Sequence, residues 1–479
     1  MLHKILTFGD VAAEQDAVLD YFIKTEAVDQ ILEKKVSVVL GRKGSGKTAL
    51  VKFFSSSEGD DVHVPASLRS YPWQLHASRK SKGASDIEAH VSSWRYIIAV
   101  EALKALLQPA RFKRNTDSKI AGATFLEENY GAVDPKLADL LRPKKIKVSK
   151  ATFAPSYLGT SIGSVEIENS DGSSVGPELD ALTDCILDCC KTIASQEGVK
   201  TLFIHLDELD QGLSSLTEER ERLLVGLILA TRAIRDDERY AQFLVPICYM
   251  RTDIWDQMYF SDMNKIKRST ALRLEWTENA LLKVLEARLE RGLGHTARLS
   301  DIEDGKKIRG RQSKWSHVVS RTFMRPRDII QFFNSALEAA KRRDREVEFF
   351  SNQDIVDARE DYSSYLKDEL DDEIKPHWRD WEDGLQAISN ISTLSFSRQD
   401  FDKAYVTNKS RRNTLDASEA LDKLYEFSVI GYRGGIGTGG STWVYRYLKP
   451  QQRFDAGASK FKVHPGLKEY ASLQEERNQ

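Results

Sequence analysis

The sequence predicts an α/β fold: a parallel sheet with helices on both faces, followed by a small helical lid and a C-terminal winged-helix domain. Three observations lead there. Val36–Leu40 (VSVVL) is a short β-branched run of the kind that forms a strand covered on both faces, and it runs straight into the glycine-rich segment GRKGSGKT. Thr201–Leu206 (TLFIHL) is a second such run, ending in Asp207-Glu208. The helical pattern of Thr217–Arg235 and the apolar run Phe243–Met250 (FLVPICYM) then complete a β-α-β-α-β order, which calls for parallel strands with helices on either side.

Composition supports a folded chain. The 479 residues allow about two to four domains. With 41% hydrophobic and 30% charged residues the chain lies near the globular average and away from the disordered corner. Lys and Arg number 70 against 72 Asp and Glu, a net charge of −2, so nothing global draws it onto nucleic acid or an acidic membrane; such binding would rest on local patches. Cys185, Cys189, Cys190 and Cys248 show neither zinc-ligand spacing nor a disulfide framework, which points to a reducing cytoplasm. The N-terminal MLHKILTFGD lacks the apolar core of a signal peptide, and no run reaches the roughly 18 apolar residues of a membrane span, so neither secretion nor insertion is expected.

Along the chain, Ala49–Phe54 reads as the helix leaving the glycine loop. A helical block at about Val91–Leu107 follows the YPWQLH segment at Tyr71–His76. Residues from about 115 to 176 contain the alternating segments IKVSKATF and SVEIEN between Gly, Ser and Asn, which predicts a β-rich insertion. Pro177–Ser195 has helical spacing. From Thr277 to about Ala340 the chain reads as helical, interrupted by the basic loop GKKIRGRQSK; two or three short helices and then VIGYRGGIGTGGSTWVYRYL, two β-like runs joined by a glycine-rich turn, close the sequence. The expected domains are a core at 1–276 containing the insertion, a lid at 277–375 and a winged-helix-like domain at 376–479.

Gly41–Thr48 fits G-x-x-x-x-G-K-[ST] at every position, with the required strand before it and helix after it. Gly41, Gly44, Ser45 and Gly46 would turn backbone N–H groups toward phosphate oxygens, Lys47 would reach the β/γ phosphates and Thr48 would ligate Mg²⁺. The fold is therefore that of a P-loop NTPase, with ATP and Mg²⁺ as expected ligands. In FIHLDELD, Asp207 would hold the metal through water and Glu208 would orient or activate the attacking water, which favours hydrolysis over phosphotransfer. Asp210 reads equally as a helix cap or a loop charge. Arg251 ends the FLVPICYM strand, where it is either a γ-phosphate sensor or a strand-end ion-pair partner. His76, His205 and His464 are scattered and suggest no metal site, and Trp73, Trp94, Trp276 and Trp443 read as packing residues.

Together the Gly41–Thr48 loop, Asp207-Glu208, Arg251, the lid with its RPRD segment and the C-terminal winged helix resemble the AAA+/STAND class of P-loop ATPases. With FGDVAAEQ and the YPW element, the set is similar to bacterial orphan ATPases that resemble the origin-recognition ATPases and are often associated with antiviral defence. The resemblance implies ATP binding and slow hydrolysis coupled to domain rearrangement or assembly, with a homo-oligomer or a partner effector protein as the receiver. It implies that Arg325 or Arg327, on either side of Pro326, contacts the nucleotide from the lid, and that His464 in FKVHPGL latches the C-terminal domain onto a diphosphate. Arg232, Arg235, Arg268 and Arg273 are candidates for an arginine given to a neighbouring subunit. DNA binding is not favoured: the expected recognition helix, about Ala417–Phe427, carries Glu419, Asp422 and Glu426 against Lys423 alone. Basic residues do occur at Arg433, Arg446 and Lys449, in Lys306–Lys314 and in Arg142–Lys150.

Overall fold

The three apolar runs form neighbouring strands of one sheet, and two more strands join them. In this computed structural model the strands of the first half are β1 Val38–Gly41, β2 Asp61–Ser67, β3 Lys145–Val148, β4 Val165–Glu168, β5 Thr201–Asp207, β6 Leu244–Arg251 and β7 Ala271–Arg273. The residues described are 1–11, 16–69, 71–73, 76, 86–108, 114–141, 145–148, 165–168, 175–210, 216–434 and 442–475. The chain divides into two compact units, a sheet unit of Lys24–Arg42 with Lys47–Leu274 and a helical unit of Met1–Ile23, Lys43–Gly46 and Glu275–Gln479. Among the described residues no helix is long and apolar enough to cross a membrane.

In the sheet unit the order is β2-β5-β6-β1-β7, all parallel. Strands β5 and β6 are buried along their whole length, as the β-branched runs demand when helices cover both faces. Its longest helices are Asp86–Leu106, Val175–Glu197 and Glu218–Asp236, the last capped by the Thr217 hydroxyl, which accepts from the Arg220 N–H; such a cap contributes about 1 kcal/mol. Polar groups inside the sheet satisfy one another in a row across three strands: His63 and His205 share a hydrogen bond of 3.0 Å, and His205 meets the Tyr249 hydroxyl at 2.8 Å. Burial and the neighbouring His63 hold His205 neutral. All four cysteines are buried free thiols.

The expected β-rich insertion needs correction. Its first part is the helix Asp117–Tyr130, opened by the Thr116 side chain and closed by Gly131 at φ +74°. Ser118, Gly122 and Phe125 share its buried face at helical spacing. Among the described residues of this stretch the β-structure is the antiparallel pair β3–β4, with Ile146 opposite Ile167; SKATF and the ends of SVEIEN lie outside the described residues.

The first residues also sit elsewhere than expected. Residues 1–23 pack with the helical unit, where Leu2, Ile5 and Phe8 enter its core, Arg288 donates to the Phe8 carbonyl at 2.7 Å and pairs with Asp16 at 2.6 Å. Four residues of FGDVAAEQ, 12–15, lie outside the described residues. The main helices of this unit are Glu278–Leu293, Lys314–Val319, Pro326–Arg343 and Asn352–Ile374, followed by Glu382–Ile391, Arg398–Asn408 and Ala417–Glu426. Strands β8 Ser395–Ser397, β9 Ile430–Arg433, β10 Trp443–Val444 and β11 Lys460–Val463 make an antiparallel sheet in the order β10-β9-β11-β8. Strand β11 alternates, with Phe461 and Val463 in the core and Lys460 and Lys462 half-buried on the other face. The glycine-rich turn 435–441 lies outside the described residues.

Candidate functional site

Parallel pairing in register brings strand ends together. Ser67 lies opposite Asp207, and Gly41 opposite Arg251, with β6 between the loop strand β1 and the acid strand β5. A loop binding phosphate at the end of β1 therefore shares one edge of the sheet with both acids and the arginine.

Lys47 opens the helix Lys47–Ser55, and its ammonium folds back onto the chain, donating to the carbonyls of Gly41 at 2.9 Å and Arg42 at 3.2 Å. Burial lowers its proton affinity, while Asp210 and Asp207 raise it again. Next to it the Thr48 hydroxyl donates to Asp207 at 3.0 Å. Burial pushes the Asp207 carboxyl up to about 6, against the opposing pull of the Glu208 backbone N–H, Lys47 and Thr48. Arg251 is buried and grips Asp253 through Nε at 3.0 Å and Nη2 at 2.6 Å, with Asp210 at 3.6 Å. Asp210, ambiguous in the sequence, thus belongs to this cluster as a counter-charge for both Lys47 and Arg251.

Glu208 sits at φ +62°, a conformation a glutamate holds only against a cost of about 1–3 kcal/mol. Its carboxylate accepts from the Ser67 hydroxyl and pairs with Arg69 at 3.3 Å. Sequence reasoning missed Ser67 and Arg69; the signal was their place at the end of the strand paired with β5, which only the sheet order reveals.

The tip of the loop, Lys43–Gly46, belongs to the helical unit. Arg325 donates to the Lys43 carbonyl at 2.8 Å and to Glu373 at 2.5 Å, and it is bidentate to Asp328 at 2.9 Å. Burial alone would lower its proton affinity, but Asp328 and Glu373 hold it firmly charged. Arg327 donates to Glu369 at 3.1 Å and to the Val11 carbonyl at 3.0 Å, and its stem covers Gly44: a Cβ there would stand 2.8 Å from the Arg327 Cβ, at φ +77°. Trp276 donates from Nε1 to the Ser45 carbonyl at 2.9 Å. Both arginines named by the sequence therefore meet the loop, and Arg325 does so at a carbonyl, as a clamp on its backbone.

His464 lies within the helical unit. It is fully buried against Phe323, its Nδ1 accepts from the Gly466 N–H at 3.2 Å and its Nε2 lies 3.4 Å from the Tyr447 hydroxyl. In this arrangement its Nδ1 caps the turn Pro465–Leu467. Of the four arginines considered for a neighbour, Arg235 is committed to the carbonyls of Val36 and Lys34, Arg232 to Asp236 and Asp262, and Arg273 to Asp256, while Arg268 is exposed.

The residues fit Mg²⁺ and a nucleotide. Mg²⁺ takes one or two protein oxygens and fills its remaining positions with water and phosphate, and the hydrogen-bonded Thr48–Asp207 pair supplies oxygens of the right kind. No larger cluster of metal-ligating side chains occurs among the described residues. In the loop tip the Ser45 hydroxyl is buried with no hydrogen-bond partner, and Gly46 holds φ +99°, the backbone form of an anion cradle.

Residues 279–371 match the model of a FunZ-associated C-terminal helical domain. Comparison with curated proteins finds no match. Among solved structures the chain is similar to the ORC1 protein of Aeropyrum pernix in complex with DNA, at 14% identity over 98% of this chain and 97% of that one, TM-score 0.40. It is also similar to the ORC2 protein of the same organism in ADPNP–ADP complexes, at 14% identity over 92% and 88%, TM-score 0.37. Cdc6p of Pyrobaculum aerophilum follows at 11% identity over 93% and 92%, TM-score 0.30. At such low scores the chain's own strand order and side chains carry the argument.

Proposed function

We propose that the protein is an ATP-binding and ATP-hydrolysing switch. The observation that carries this reading is the Thr48–Asp207 hydrogen bond beside a buried, carbonyl-bound Lys47 at the end of a parallel sheet. Bound Mg–ATP would supply the phosphoanhydride to be cleaved and the cation that neutralises it. For its part, the chain would hold the metal with Thr48 and Asp207, move the Lys47 ammonium from the Gly41 and Arg42 carbonyls to phosphate oxygens, and place the Glu208 carboxylate to take a proton from water. Glu208 must first leave Ser67 and Arg69, so the resting arrangement favours slow turnover. Arg251 would lend its charge from the neighbouring strand end.

What the nucleotide controls is also proposed. Arg325, Arg327 and Trp276 touch the loop tip, so a change in that tip would be felt by the helices that carry them. We read the Glu382–Val463 helices and sheet as a winged helix that passes the state to a second copy or an effector protein. The defence setting rests on the sequence resemblance and is tested by phage challenge of a producing strain. For the switch itself the test is calorimetry with Mg–ATP alongside a phosphate-release assay. Binding that survives Lys47→Ala unchanged would overturn it.

A further inference from the structure

A second candidate site lies wholly within the helical unit. Segment Ile308–Arg321 and the face of the β8–β11 sheet line a half-open cavity of about 650 Å³, within the range of small-molecule sites. Among the described residues that line it are six cationic side chains, Arg309, Arg311, Arg321, Arg433, Lys460 and Lys462, against a single carboxylate, Glu475.

The cationic wall is braced from behind, where Arg321 donates to the Pro465 carbonyl at 2.6 Å and Glu469 pairs with Arg321 at 3.5 Å and Arg359 at 3.9 Å. His317 accepts at Nε2 from two guanidiniums, Arg321 Nε and Arg359 Nε, each at 3.0 Å, while its Nδ1 faces the Gln312 side-chain oxygen at 3.0 Å. That ring must be neutral, and it fixes Arg321, which is 5% exposed, at the cavity wall. Guanidiniums held in place beforehand lose little freedom when they bind phosphate. Trp443 adds a flat apolar wall, with the Lys462 ammonium 5.7 Å above its ring. The carboxylate of Glu475 is itself bound by Arg309 at 2.7 Å and Lys468 at 2.9 Å, as an anion in this cavity would be.

We infer that this cavity binds a small ligand carrying two or more phosphate groups, of nucleotide size. Its concave shape and the buried Arg321 suit a compact polyanion, whereas a duplex would need the cations spread over an open face. The inference is independent of the nucleotide site at Lys47.

Calorimetry of the Lys47→Ala full-length chain with inorganic tripolyphosphate tests it, because the first site is then removed. One binding event is expected, weakened at least about tenfold by Arg311→Glu/Lys460→Glu and tightened about threefold by Glu475→Gln, which removes the like charge. No binding, or equal affinity in all three proteins, overturns the proposal. The Glu475→Gln arm decides the matter should the double variant fail to fold. A parallel anisotropy titration uses a short labelled duplex: duplex binding lost in the double variant, with tripolyphosphate unbound, would overturn the cavity in favour of a nucleic-acid surface.

Discussion

The parallel and antiparallel sheets carry opposite charge, and they acquire it differently. In the parallel sheet, strands β5 and β6 are apolar throughout and the charges wait at their ends, where Asp207, Asp210 and Asp253 surround Lys47 and Arg251. In the antiparallel sheet the charge lies on the strands themselves, since alternation leaves Lys460 and Lys462 on the face opposite Phe461 and Val463. A sheet covered on both faces can do chemistry only at its edge, whereas a sheet covered on one face can line a cavity with it. The first is an acid-rich nest around a lysine; the second is a cation-rich cavity around a neutral histidine.

Breaking the first arrangement should have the largest effect. Lys47→Ala removes the cation from the acid nest, and Mg–ATP affinity measured by calorimetry should fall at least about a hundredfold, as a charge-assisted phosphate contact is lost and buried carboxylates are left uncompensated. Glu208→Gln should leave that affinity within about threefold while phosphate release drops roughly 10²–10⁴-fold, the usual loss for a general base. Unchanged turnover would assign the water to another group.

At the loop tip the effect is expected in stability, with the nucleotide chemistry untouched. Arg325→Ala leaves Asp328 and Glu373 buried without their cation, and urea unfolding should report a loss of about 3–5 kcal/mol. A loss below about 1 kcal/mol would mean that the clamp is not held as described. The smallest effect belongs to the second arrangement and depends on pH. Burial, Arg321 and Arg359 push His317 down from 6.5 to about 3, so the unfolded chain takes up a proton that the folded chain refuses. The stability contributed by the neutral ring is full above pH 6.5 and is lost as pH falls toward 3. Between about pH 7 and about pH 5, wild type should lose on the order of 1–2 kcal/mol more than His317→Gln, after allowance for screening. Parallel curves for the two proteins would contradict the shared-acceptor geometry.

Much of the sheet unit was legible in the sequence because its signals are local. The loop GRKGSGKT and the run FIHLDELD each specify a strand and its chemistry within eight residues, and Arg251 follows its strand directly. The helix Asp117–Tyr130 was hidden because Ala121, Gly122 and Ala123 blur its apolar stripe. Roles set by distant partners were hidden altogether. Arg325 becomes a clamp through Glu373, which lies 48 residues away, and Glu208 is restrained by Ser67, 141 residues earlier. His464 looked available because FKVHPGL says nothing of Phe323 or Tyr447.

The docking of residues 1–23 has a consequence for synthesis. Phe8 is bonded to Arg288, 280 residues further on, so at about 5–20 residues per second this segment is synthesised about 14–56 s before its partner. Throughout that interval Leu2, Ile5 and Phe8 have no core to enter, and the growing chain carries an uncovered apolar segment. Chains stalled before Arg288 should therefore be cut by protease within this segment, and released full-length chains should resist. Until translation passes that point, the sheet unit folds with this sticky segment still attached to it, a natural target for a chaperone.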